Sequence, residues 1–179
     1  TSFGDFDVAN SVAMQSDGKI VVAGKANVPG DCGSNDCYDI AVVRYNNDGT
    51  IDFQTTLNTD NNGSGEEAHA LIIQPDGKII IGGSTDYGGS FGAVLARLNI
   101  DGSRNYVNDW MPWGLCSGVT CAASVDMGPI KALAIDETHV FAVTGTKLSK
   151  FDIEWGVWST FDGNENNTTG YTPKDDLKF

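Results

Sequence analysis

Positive charge is scarce in this sequence. Lysine and arginine together number 11 against 24 aspartates and glutamates, for a net charge of −13. Binding to nucleic acid or to an anionic membrane surface needs a basic face, so neither is expected as a partner. No apolar run approaches the ~18 residues of a membrane span, and no membrane insertion is expected. There are two histidines, His69 and His139, and neither lies beside a plausible nucleophile. With no Gly-x-Ser-x-Gly and no paired histidines, catalysis has no sequence support and the chain is read as a non-enzyme. An acid pair assembled in space would leave no such signal. No signal-peptide pattern opens the chain, but it starts at Thr1 rather than Met, which predicts a processed or truncated N-terminus. The excess acid reads either as Ca²⁺ affinity or high-salt solubility, or as a plain solvated surface. The solvated surface is preferred.

What the chain has in plenty is turn and strand formers. Glycine supplies 22 of the 179 residues, Asn and Asp are abundant, and β-branched residues dominate the apolar set. That is the composition of an all-β domain with many turns, long enough to bury a core. The stretch MQSDGKIVVAG at 14–24 returns as IQPDGKIIIGG at 73–83, a shift of 59 residues. Asp-Gly between two β-rich runs is a strong hairpin signal, because glycine supplies the positive φ of the tight turn. Both arms are almost continuously apolar rather than alternating, so each hairpin must be covered on both faces. One hairpin cannot cover itself, and stacking of units follows.

Each hairpin is followed by an apolar strand that ends in a second Asp-Gly turn: DIAVVRYNNDGT at 39–50 and AVLARLNIDGS at 93–103, with Arg97 matching Arg44 at a shift of 53. A third copy is degenerate. IKALAIDETHVFAVTG at 130–145 matches the second hairpin at a shift of 62 without its Asp-Gly-Lys turn, and KLSKFDIEWG at 147–156 puts Lys150 in the arginine position. Residues 1–10 read as the closing strand of a preceding unit, 11–66 as unit 1, 67–125 as unit 2, 126–160 as unit 3 and 161–179 as a polar C-terminal tail. Units of about four strands at a period near 60 predict an all-β fold. The expected form is a β-propeller-like array of about three four-stranded antiparallel blades, partial or completed by other copies. A β-solenoid or sandwich is the alternative.

The combination of Gln15-Ser16-Asp17-Gly18-Lys19 and Gln74-Pro75-Asp76-Gly77-Lys78 with the strands Ala41–Thr50 and Ala96–Ser103 resembles the delta-sixty repeat. This is a β-propeller repeat of large secreted and surface-attached microbial proteins. Thr1-Ser2-Phe3-Gly4 is similar to the closing motif of a repeat, and the likeness covers 1–105 well and 130–153 weakly. The third unit lacks the turn, and the cysteine-bearing loops are not part of the repeat. The resemblance implies a fold and an extracellular or cell-surface location. It implies no catalytic residues.

Four cysteines form two Cys-x4-Cys pairs, Cys32 with Cys37 and Cys116 with Cys121, each inside a Gly/Ser/Asn loop. Zinc sites use closer spacing or a nearby histidine, so two local disulfides and an oxidising compartment are expected, with free thiols as the alternative. Sequons at Asn62, Asn166 and Asn167 are compatible with a secreted glycoprotein. Asp60, Asn62, Ser64 and Glu66, and again Asp162, Asn164 and Asn166, place oxygen ligands at alternate positions as a Ca²⁺ loop does. The bidentate Glu of an EF-hand is missing, because its position is Leu71, and turn preference explains such residues equally. No other cofactor is expected. Trp110, Trp113, Trp155 and Trp158 follow the third strands of their units, as fillers between blades or as stacking platforms for sugar rings or protein. Core placement is preferred. Arg44 and Arg97, repeated at strand ends, suit bonds to a neighbouring blade's carbonyls or carboxylates.

The function expected is that of a secreted or surface-associated structural or interaction protein, partnered by itself or by other surface proteins within an extracellular assembly or filament. A carbohydrate-binding or adhesion module using the tryptophan loops is the alternative. A glycoside-acting enzyme on a propeller scaffold comes third.

Overall fold

The computed structural model describes residues 7–28, 38–58, 65–87, 90–104, 128–144, 147–152 and 158–161. They form three antiparallel sheets. Blade 1 contains β1 (Asp7–Met14), β2 (Ile20–Asn27), β3 (Tyr38–Tyr45) and β4 (Ile51–Leu57), side by side in that order. Blade 2 contains β5 (Gly65–Ile73), β6 (Ile79–Tyr87) and β7 (Ser90–Leu98), with an added bridge from Leu98 to Arg104. Blade 3 contains β8 (Ile130–Ile135), β9 (His139–Thr144), β10 (Lys147–Asp152) and β11 (Trp158–Phe161). The array is the three-bladed all-β architecture that the repeat predicts.

The turns form where Asp-Gly stands. Gly18 and Gly77 have φ of +86° and +85°, and each closes its hairpin by donating its N–H to the carbonyl of Gln15 or Gln74 at 2.9 Å. The turns between β3 and β4 and after β7 repeat this geometry with Gly49 and Gly102, both at +83°. Blade 3 departs from the pattern. Its β8–β9 turn is closed by Asp136 N–H to the His139 carbonyl at 3.0 Å, while the Asp136 carboxylate accepts the backbone N–H groups of Thr138 and His139 at 2.7 and 2.6 Å. That turn is one residue shorter, so Val140 rather than Phe141 takes the register of Ile79. The shift from blade 2 is 62 before the turn and 61 after it.

Packing explains the continuous apolar runs. The face of blade 1 that carries Val21, Ala23, Ile40, Val42 and Leu57 packs on Leu71, Ile79, Ile81, Val94 and Leu98 of blade 2. On the other side of blade 2, Ile80, Ala93 and Leu95 pack on Ile130, Val140 and Ala142 of blade 3. Alternate side chains point to opposite faces of a strand, so Ile79-Ile80-Ile81 serves two cores. Each such isoleucine contributes about 1.5–3 kcal/mol of burial. The side of a blade that meets its predecessor is called its back face here, and the side that meets its successor its front face.

The unit boundaries differ from the sequence reading at both hairpins. Asp7 to Ala9 pair with Ala26 to Gly24, so residues 7–10 lie inside blade 1 rather than closing a preceding unit, and Gly65 and Glu66 open blade 2 rather than closing unit 1. The physical cause is a β-bulge. Asn10 in β1, His69 in β5 and Lys131 in β8 are each skipped in the pairing with the next strand. A bulge absorbs the polar residue that breaks the apolar run, and the strand continues through it.

Candidate functional site: blade interfaces and their exposed counterparts

The charged residues of the array gather where blades meet. Arg44, at the end of β3 and only 7 % exposed, is held by an apolar strand whose alternate side chains form the front face of blade 1. Its Nε and Nη2 reach Asp52 Oδ2 at 2.6 and 2.5 Å, and its Nη1 donates to Gln15 Oε1 at 3.2 Å. The same Nη1 donates to the Ile100 carbonyl of blade 2. Gln15 Nε2 crosses the same boundary to the Gly77 carbonyl at 2.8 Å. The guanidinium also lies 4.6 Å from the Phe53 ring centre, within cation–π reach. Lys19 completes the cluster at 3.1 Å from Asp52 Oδ2. Hydrogen bonds from Lys19 and then Arg44 hold the Asp52 carboxyl below its ordinary range, against the opposing pull of burial. The repeated arginine thus joins a neighbouring blade's turn to a carboxylate of its own blade.

A second cluster sits at the bulges. Asn10 Nδ2 donates to Glu67 Oε1 at 2.8 Å and to the Ala68 carbonyl at 2.9 Å, both in blade 2. Lys25 Nζ lies 2.9 Å from Glu67 Oε2. Burial pushes the Glu67 carboxyl up, but hydrogen bonds from Lys25 and Asn10 outweigh it and leave the group below its ordinary value. His69 Nε2 lies 3.0 Å from Ser84 Oγ. Burial and the charge of Lys131 in blade 3 lower the His69 pKa, more than Glu67 raises it. The bulges of blades 1 and 2 leave no room for a side chain on the partner strand. A β-carbon on Gly24 would stand 1.8 Å from the Val8 carbonyl oxygen, and one on Gly83 would stand 2.0 Å from that of Glu67. Thr144 holds this register in blade 3, where its β-carbon is accommodated.

The outermost sheet faces lack any such partner among the described residues. On the back face of blade 1, Val12 is 65 % exposed and Ile20 39 %, whereas their equivalents in blade 2, Leu71 and Ile79, are 7 % and 0 %. Met14 is 71 % exposed. On the front face of blade 3, Val143 is 39 % exposed, where the equivalent Ala23 of blade 1 is buried.

The structure brings together few of the residues singled out from sequence. Glu66 lies in β5 opposite Thr85 with its side chain fully buried, while Asp60, Asn62, Ser64, Asp162, Asn164 and Asn166 lie outside the described residues, as does Asn167. Among the described residues no group of three or more His, Cys, Asp or Glu is placed to hold a metal. Cys32, Cys37, Cys116 and Cys121 also lie outside the description, with Trp110, Trp113 and Trp155. Trp158 opens β11, in register with Phe151. The bulge residues Asn10, His69 and Lys131 were not predicted. Their only sequence trace is a polar residue interrupting an apolar run five positions before the first residue of the hairpin turn.

Residues 15–52 and 74–106 match the family model of a β-propeller domain of unknown function (DUF5122). Each matched segment starts at the glutamine of a Gln-x-Asp-Gly-Lys turn and runs past the following Asp-Gly turn. The match supports a β-propeller repeat for the first two blades. No curated protein matches the chain.

Proposed function

We propose that this array of β-propeller blades is a non-catalytic structural or interaction protein of the cell surface or extracellular space, working as a subunit of a larger assembly. The observation that carries the reading is the back face of blade 1. It is apolar and open to solvent at positions that blade 2 buries against a neighbour, and exposed apolar faces of that kind mark protein contacts. The ionic clusters support the same reading, because Arg44, Gln15, Asn10 and Lys25 bond one blade to the next. Two close-spaced cysteine pairs in polar loops and a strongly acidic composition favour an oxidising, extracellular setting.

Fractionation of cells that express the protein natively tests this. The protein is expected in the envelope or the medium. Confinement to the reducing cytosol would refute the reading.

A further inference from the structure

We infer that the exposed back face of blade 1 docks on the exposed front face of blade 3 in a second copy of this chain. The inference rests on the reading of the protein as an assembly subunit and names its partner. It starts from the contacts within the chain. Blade 1 presents its front face to the back face of blade 2, and blade 2 does the same to blade 3, in two consecutive heterologous contacts of one design. Among the described residues, the back face of blade 1 and the front face of blade 3 each carry one half of that contact with no neighbour against it.

The two halves correspond position by position. Val12, Ile20 and Val22 of blade 1 hold the registers of Leu71, Ile79 and Ile81, which blade 2 buries against its predecessor. Phe141, Val143 and Leu148 of blade 3 hold the registers of Ile80, Gly82 and Leu95, which blade 2 turns to its successor. Lys150 stands where Arg44 and Arg97 stand, 6.0 Å from the Phe141 ring centre.

Side-chain size fits as well. At the contact between blades 2 and 3 a β-carbon on Gly82 would stand 2.5 Å from Ile130 and 3.2 Å from Leu133, and the glycine and the leucine make one such facing pair. Between blades 1 and 2 the same pair of positions is Ala23 and Leu71. Between blade 3 and a second blade 1 it becomes Val143 and Val12, a front residue larger than glycine or alanine meeting a back residue smaller than leucine. A front-to-back contact generates a ring if its rotation closes and a filament if it does not.

Native mass spectrometry and sedimentation equilibrium of the full chain, at about 1–100 µM and physiological salt to screen the charge of −13 per copy, read the outcome. Species at whole multiples of the 19.0 kDa chain mass are expected, a discrete one if the front-to-back contact closes and an open-ended ladder if it does not. Monomers throughout would overturn the inference and assign the face to another protein or to further blades. Val12→Asp and Val143→Asp alter exposed positions and should leave the circular dichroism spectrum unchanged. Each should weaken self-association on the order of a hundredfold, because a charge is buried in the contact. An equimolar mixture of the two variants keeps one unaltered front-to-back contact and should regain heterodimer. No recovery on mixing would show that like faces meet, which overturns the arrangement. Failure here leaves the extracellular location to be judged separately by fractionation.

Discussion

Replacing Arg44 with methionine measures how far the blade 1–blade 2 boundary depends on the repeated cation. Methionine keeps a long apolar stem against Phe53 but removes every donor. A buried acceptor, Gln15 Oε1, and a part-buried one, the Ile100 carbonyl, then lose their partner. An orphaned buried polar group costs about 1–3 kcal/mol. Asp52 contributes little to the sum, since its side chain is about a quarter exposed and it retains Lys19. The expected loss is ~2–4 kcal/mol, which lowers Tm by roughly 5–15 °C in a domain of this size. Arg44→Lys should fall between wild type and Arg44→Met, because a point charge satisfies one or two acceptors but cannot span three. Lysine already holds this place in blade 3. Urea titration with matched m-values is the assay. A loss for Arg44→Met within about 0.5 kcal/mol, the range of ordinary surface substitutions, would refute the account, and so would equal losses for the two variants.

Three other outcomes are expected. Gly83→Ala should cost roughly 3 kcal/mol or more, because its β-carbon meets backbone that cannot step aside, while Gly49→Ala, with nothing within 4 Å, pays only for its left-handed φ, about 1–2 kcal/mol; equal urea midpoints would contradict the bulge argument. Stability should decline with acid in two steps. The lowered pKa of His69 gives stability that is present above its ordinary value of 6.5 and is lost as pH falls through the folded-state value. The lowered carboxyls of Asp52 and Glu67, from ordinary values of 3.8 and 4.5, add a further loss below about pH 4. Melting curves from pH 8 to 3 should show both steps, and His69→Asn, the residue of blade 1's own bulge, should remove the first. Thiol titration of the denatured, unreduced protein should find no free thiol if Cys32–Cys37 and Cys116–Cys121 are bridged, and four free thiols would rule both bridges out.

The repeat, the strands and the turns were legible in the sequence because they are local. Asp-Gly favours a left-handed glycine, and among the described residues Gly18, Gly49, Gly77 and Gly102 all adopt it. The doubly apolar hairpins announced burial on both faces, and Ile79 and Ile80 divide between two cores as that pattern requires. The role of Arg44 in bonding the next blade was also readable, since a cation repeated at one strand end belongs to the architecture. Tertiary structure decided the rest. Asn10, His69 and Lys131 leave the ladder only through their pairing with a second strand, and a bulge has no composition of its own. Glu66 looked like a loop ligand beside its polar neighbours, but β5 begins one residue before it and turns its side chain inward. The sequence also gives Val12 and Leu71 one rank, as equivalent apolar residues of one repeat. Their difference, open to solvent in one and sealed in the other, depends on whether a neighbouring blade stands against the sheet, and that is a property of the whole array.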